Sequence, residues 1–220
     1  MKSKFPRLLT FVSAAVLSAG VLTSGCQSQK NSPALIKGTS ASSSVQGAAD
    51  TIVAAREQID VALAALRNLT GNPADIPAQY QVVQQQLEAL AKSSDKIEAA
   101  ADAMRAKGDA YIADWARQIA AIGDAELRDV AFGRRAEVAS KLQEIFKSYQ
   151  RVKADFVPFE KNLADIQRSL GSDLSQKGLE VVKPYVEKAA AAAEPLKASL
   201  DKLADEFRAV GLSLQPGGTL

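Results

Sequence analysis

Residues 138–170 read VASKLQEIFKSYQRVKADFVPFEKNLADIQRSL. Val138, Leu142, Ile145, Tyr149, Val152, Phe156, Phe159, Leu163, Ile166 and Leu170 follow one another at steps of four and three, alternating without a slip. A strand would repeat every second residue. A helix of 3.6 residues per turn puts these ten side chains on one seam, the seam of coiled-coil-like packing. The stretch therefore predicts a long helix that needs apolar partners along its whole length.

The same spacing recurs on both sides. Upstream, Val45, Ala48, Ile52, Ala55, Ile59, Ala62, Leu66 and Leu69 mark helix one, stopped by Gly71 in a left-handed cap and then by Pro73. Helix two carries Tyr80, Val83, Leu87, Leu90, Ser94, Ile97, Ala101, Met104, Tyr111 and Trp115, capped by Asn72 or Asp75. Ile119 and Ile122 follow after a one-step phase change, and Gly123-Asp124 stops and recaps the chain. Helix three adds Leu127 and Ala131 to its stripe and ends at Gly171-Ser172-Asp173. Helix four carries Leu179, Val182, Val186, Ala189, Ala193, Leu196, Leu200, Leu203, Phe207 and Val210, and stops at Gly211.

Facing residues of an antiparallel hairpin have numbers with a constant total. For helices two and three the total is 246 in Tyr80/Ile166, Val83/Leu163, Leu90/Phe156 and Ile97/Tyr149, centred on Gly123. For helices three and four it is 345 in Leu163/Val182, Phe156/Ala189, Tyr149/Leu196 and Val138/Phe207, centred on the Ser172-Asp173 break. The centres coincide with turns read independently from glycine and cap residues. The expected fold is all-α: an elongated antiparallel bundle of three long helices plus a shorter N-terminal helix, over residues 45–211. Helix four should run back nearly to the Gly123 tip, and helix one should stop short of it. Pro158, Pro184 and Pro195 lie inside helices and predict bends or local breaks.

The N-terminus carries a different signal. Lys2, Lys4 and Arg7 precede an apolar stretch from Leu8 to Leu22, which is short for a membrane span. Leu22-Thr23-Ser24-Gly25-Cys26 follows, and it resembles the lipobox of bacterial lipoproteins, with Thr23 where leucine is commoner. Residues 1–25 are thus expected to be a lipoprotein signal peptide. Cys26 is the expected lipidation site, with the palmitate-type anchoring which that resemblance implies. Gln27 rather than aspartate after the cysteine implies the outer membrane, facing the periplasm. Residues 26–44 contain a serine-rich run and are expected to form a flexible tether, with a span of roughly 23 Å. Residues 212–220 end in Pro-Gly-Gly-Thr-Leu and are expected to be a loose tail.

Composition narrows the function. Removing the three leader cations from a net charge of +2 leaves −1, so no basic footprint for nucleic acid remains. Histidine is absent and there is one cysteine, which removes the usual catalytic base, internal disulfides and thiolate metal clusters. No phosphate loop, nucleophile elbow or metal spacing is present. The expectation is therefore no catalytic residues, no cofactor and no metal. Asp201, Asp205 and Glu206 alternate with Lys202 and Arg208 and read as a solvated face. Arg134-Arg135 and Lys147, Arg151 and Lys153 have acids close by and read the same way. Trp115, the single tryptophan, and Phe132 on the returning helix suit core packing by their heptad position; their functional reading is an interaction tip.

From about Ala48 to Leu214 the chain resembles an uncharacterised bacterial family of helical lipoproteins, a domain of unknown function. The resemblance rests on Ala113-Asp114-Trp115 with Ile119, Phe156-Val157-Pro158-Phe159, Leu163-Ala164-Asp165-Ile166, Leu170 and Asp173-Leu174. It implies a helical fold and an envelope location, and carries no activity with it. The expected function is a membrane-anchored structural element, a spacer or adaptor that engages an envelope protein or itself. The alternative is a membrane- or lipid-binding helical module.

Overall fold

The structure, a computed structural model, describes residues 33–215, with side chains from Lys37 onward. It holds four helices: α1 (Pro33–Thr70), α2 (Ile76–Ala120), α3 (Ala125–Ser172) and α4 (Gln176–Ser213). Each packs on its two neighbours in the ring α1–α2–α3–α4–α1, and consecutive helices are antiparallel. With 48 residues, α3 is about 72 Å long.

The turns fall where the seams placed them. Asp75 caps α2 by accepting from Ala78 N at 3.0 Å, and Asp124 caps α3 by accepting from Leu127 N at 2.8 Å. Ser175 caps α4, its hydroxyl accepting from Gly178 N at 3.2 Å. After α1 the left-handed residue is Asn72 (φ 69°), not Gly71 as the stop signal implied. Asparagine tolerates that region because its short polar side chain can bond locally. Pro158, Pro184 and Pro195 lie inside α3 and α4, which run on through them, so the expected local breaks do not occur.

The core is continuous along the bundle and unequal in grain. The α1 helix contributes Ala41, Ala48, Ala49, Ala55, Ala62 and Ala65 beside Ile52, Ile59 and Leu66, all buried. The α3 helix contributes Tyr149, Phe156 and Phe159. Small side chains on α1 share the core with large ones on α3, the alternation that packs a bundle. Ala189, Ala190 and Ala193 are buried on α4, so part of the alanine run is a packing surface.

Three boundaries differ from expectation, and they share a cause. Helix one starts at Pro33, so residues 33–44 are helix rather than tether. Ala41, Ser42 and Val45 are buried; Ser42 and Val45 lie against Gly211 of α4, and the Ser42 hydroxyl donates to Gly211 O at 2.7 Å. Packing overrides the weak helix propensity of the serines. Gly211 does not stop α4: a Cβ there would lie 3.0 Å from Gln46 Cγ, so glycine serves close helix approach. The helix continues to Ser213 and Leu214 is buried, so residues 212–214 belong to the fold rather than to a tail.

The third difference is which helix approaches the α2–α3 turn. Leu214 O lies 3.3 Å from the Cβ position of Gly38, and the Tyr111 ring 3.5 Å from it. The α4 helix therefore ends level with Gly38 and Tyr111. The α1 helix continues past that level by more than a turn. Beyond it, α2 and α3 project as a hairpin that α4 does not cover. Leu127, placed in the core stripe by its spacing, is for this reason 58% exposed.

Candidate interaction surfaces

The α2–α3 tip combines a fastened base with a bare end. At the base, Asp114 is only 9% exposed and takes the Lys37 ammonium at 2.9 Å and the Arg117 guanidinium at 2.5 Å. Gln118 Nε2 donates to its second oxygen at 3.2 Å. The Lys37 bond, then Arg117, holds the Asp114 carboxyl below the usual carboxylate range. Trp115 is half-buried and packs on the core, its ring 5.6 Å from that of Tyr111. Phe132 is half-buried beneath the Arg135 guanidinium at 5.7 Å. The bare end is Leu127 and Val130, 58% and 68% exposed, on one face of the first two turns of α3.

The α1–α4 seam carries a ladder of ion pairs. Asp50 faces Arg208 at 3.9 Å, and Arg56 faces Asp201 at 3.5 Å. Asp60 faces Lys197 at 2.7 Å, and Arg67 faces Glu187 through a two-pronged contact at 2.8 and 3.1 Å. Signs alternate from rung to rung on each helix. A slip by one rung would oppose Arg56 to Arg208, Asp60 to Asp201 and Arg67 to Lys197, like charges throughout. Lys197 is the buried rung, also bound by Glu194 at 2.8 Å. Asp60, then Glu194, raises its pKa above the ordinary lysine value.

Several surface furrows border α3 among the described residues. One of about 300 Å³ between α2 and α3 is lined by Met104, Gly108, Ile112, Leu142 and Phe146, with Arg105, Asp109 and Lys147 at its rim. The Arg105 guanidinium lies 4.5 Å over the Phe146 ring. A second, of about 850 Å³, contains Glu160, whose carboxyl is pushed up by burial and partly restrained by Ser94. The neighbouring Asp95 raises it further. At the α3–α4 seam, Ile166, Val182, Ala189 and the exposed Val181 and Tyr185 line a furrow of about 520 Å³.

A family model described as a protein of unknown function (DUF2959) matches residues 37–208. The chain belongs to this family. No curated protein and no solved structure matches it. The DUF2959 match begins at Lys37, the residue that grips Asp114, and so covers α1 from its second turn onward.

In the DUF2959 bundle the sequence candidates are distributed rather than gathered. Arg134 pairs with Glu137 and Lys153 pairs with Glu98, each within a charged exposed surface. Asp205 pairs with Arg208 and Glu206 with Lys202. Among the described residues no group of three or more Asp, Glu, Cys or His side chains is placed to hold a metal ion. None of the described helices is long and apolar enough to cross a membrane. Cys26 lies outside the described residues. The sequence reading missed the Lys37–Asp114 clamp, because residues 37–44 looked like linker. It also missed the α1–α4 ladder, although its charges alternate in sign along each helix and could have been compared across the two.

Proposed function

We propose that this DUF2959 protein is a lipid-anchored structural element of the bacterial cell envelope, a spacer or adaptor, acting without catalysis. Export and acylation at Cys26 would hold it on the periplasmic side of the outer membrane. The observation that carries the reading is the bundle itself: a continuous apolar interior about 50 Å long, from Val138 to Leu170 along α3, whose remaining chemistry is spread along its outer faces. Buried charges are spent on register, in the Asp60–Lys197 rung and the Asp114 clamp. Long helical faces with apolar furrows suit engagement of another elongated protein or a second copy. In-membrane chemical crosslinking of the full-length protein, with mass spectrometry of the captured species, tests this. One abundant foreign partner, or reproducible self-crosslinks along α3 and α4, supports it. A protein that captures nothing at native abundance, or that turns over a substrate, refutes it.

A second reading, a membrane-binding helical module, is favoured by the exposed Leu127 and Val130. Co-sedimentation of a Cys26→Ser protein with anionic vesicles at low salt decides it, since that protein has no lipid of its own.

A further inference from the structure

The anchor and the bundle together constrain which end of the bundle faces the bilayer. Seven Cα steps separate Cys26 from Pro33, and a fully extended chain covers at most about 25 Å in that distance. The α1 helix, 38 residues and about 57 Å long, starts at the α2–α3 end and runs away from it. Lys37 is level with Asp114, and the four residues before it lead on toward the turn at Ala121–Asp124. An acyl chain on Cys26 cannot reach a bilayer that lies against the opposite end, because Pro33 would then stand a whole helix away.

We infer that the α2–α3 tip, with Leu127 and Val130 foremost, is the membrane-facing end of the bundle and rests against the lipid surface that holds the Cys26 acyl chains. The inference depends on the lipid-anchor reading above. Leu127 and Val130 are three residues apart, on one face of α3, beyond the end of α4. Nothing in the bundle covers them, and they occupy the end that the chain length brings to the bilayer. The tip is electrically balanced: from Trp115 to Glu137 it holds Arg117, Arg128, Arg134 and Arg135 against Asp124, Glu126, Asp129 and Glu137. Asp124 is already occupied in capping α3. The contact is therefore apolar rather than electrostatic, and the Thr70–Ile76 and Ser172–Gln176 turns form the distal end.

Full-length acylated protein is reconstituted in vesicles of phosphatidylethanolamine and phosphatidylglycerol containing nitroxide-labelled lipid. A fluorophore is attached at Val130→Cys and, in a second protein, at Ser172→Cys; both positions are exposed, and circular dichroism verifies each fold. The Val130 label is expected to be quenched at least twofold, and the Ser172 label not at all. About 0.5 M salt, which screens surface charge to a few ångströms, should leave the quenching unchanged. Equal quenching at both positions means that the bundle lies flat, and quenching at neither means that the tip stands free; either overturns the inference. The mass of the Cys26 peptide is read in the same sample. Without acyl chains the anchor reading fails and takes the inference with it; with them, a silent Val130 label sinks the inference alone.

Discussion

The Lys37 ammonium lies 2.9 Å from Asp114 Oδ1 and so joins the second turn of α1 to the outer part of α2. Near this level α4 has ended, and α1 meets the hairpin through this contact and through Gly38 against the Tyr111 ring. The Asp114 carboxyl is held below its ordinary value by Lys37 and Arg117. A depressed carboxylate contributes its stabilisation in full above the unfolded value of about 3.9 and loses it as pH falls through the lower folded value. Asp114→Asn should therefore loosen residues 37–44 at neutral pH, as acid does in the parent. Amide exchange read by mass spectrometry should show these residues losing protection in the variant while Ile52–Leu66 keep theirs. Unchanged protection at residues 37–44 would show that burial of Ala41 and Ser42 suffices without the clamp.

Arg67 and Glu187 test whether the α1–α4 ladder selects register. Both side chains are about half exposed, so the pair itself contributes modestly. Arg67→Glu and Glu187→Arg should each lower the urea midpoint, through repulsion across the seam. The double reversal should restore most of the loss, read as a favourable coupling in a double-mutant cycle. Additive losses would mean that the two side chains meet without energetic consequence.

Two glycines should respond in opposite directions. At Gly178 a Cβ would stand 2.3 Å from Asp173 O, a backbone atom that cannot swing away. Gly178→Ala should cost about 2 kcal/mol or more, by breaking the Asp173–Ser175 turn that starts α4. Gly133 lies inside α3 with no atom within 4 Å of its Cβ position. Gly133→Ala should stabilise by about 0.5–1 kcal/mol, the usual gain from replacing glycine within a helix. Thermal unfolding of the two variants beside the parent gives the answer.

The seams made most of this fold legible. Ten residues of α3 in unbroken four-three steps demanded apolar partners, and the constant totals placed the turns at Gly123 and at Ser172-Asp173. What stayed hidden depended on contacts between distant parts of the chain. Read locally, Ser42 belongs to a tether and Gly211 to a helix stop, and both become helix interior where they touch. Leu127 keeps the heptad spacing but lacks a partner, because the length of α4 is set by its packing on α1. The exposed apolar tip was thus concealed by a pattern that predicts burial. Trp115, the single tryptophan, packs on the core as its heptad position implied.

Lys197 separates the strength of an ion pair from its role. Its ammonium sits between Asp60 and Glu194 while the side chain is almost wholly covered. Asp60 and Glu194 are 44% and 71% exposed, so no buried charge is stranded when the lysine is replaced by an apolar chain of similar length. Lys197→Met should therefore change stability by no more than about 1 kcal/mol at pH 7. Asp60→Ala leaves the lysine charged and deprived of its nearest acceptor, and should cost about 1–2 kcal/mol more than Lys197→Met. The lysine pKa is raised, so its contribution is complete below the unfolded value of about 10.4 and lost as pH climbs through the higher folded one. Urea unfolding from pH 8 to 11 should show an alkaline loss in the parent that is smaller in Lys197→Met. A Met variant that collapses at pH 7 would mean that the Asp60 rung sustains the α1–α4 seam by its energy and not only by its register.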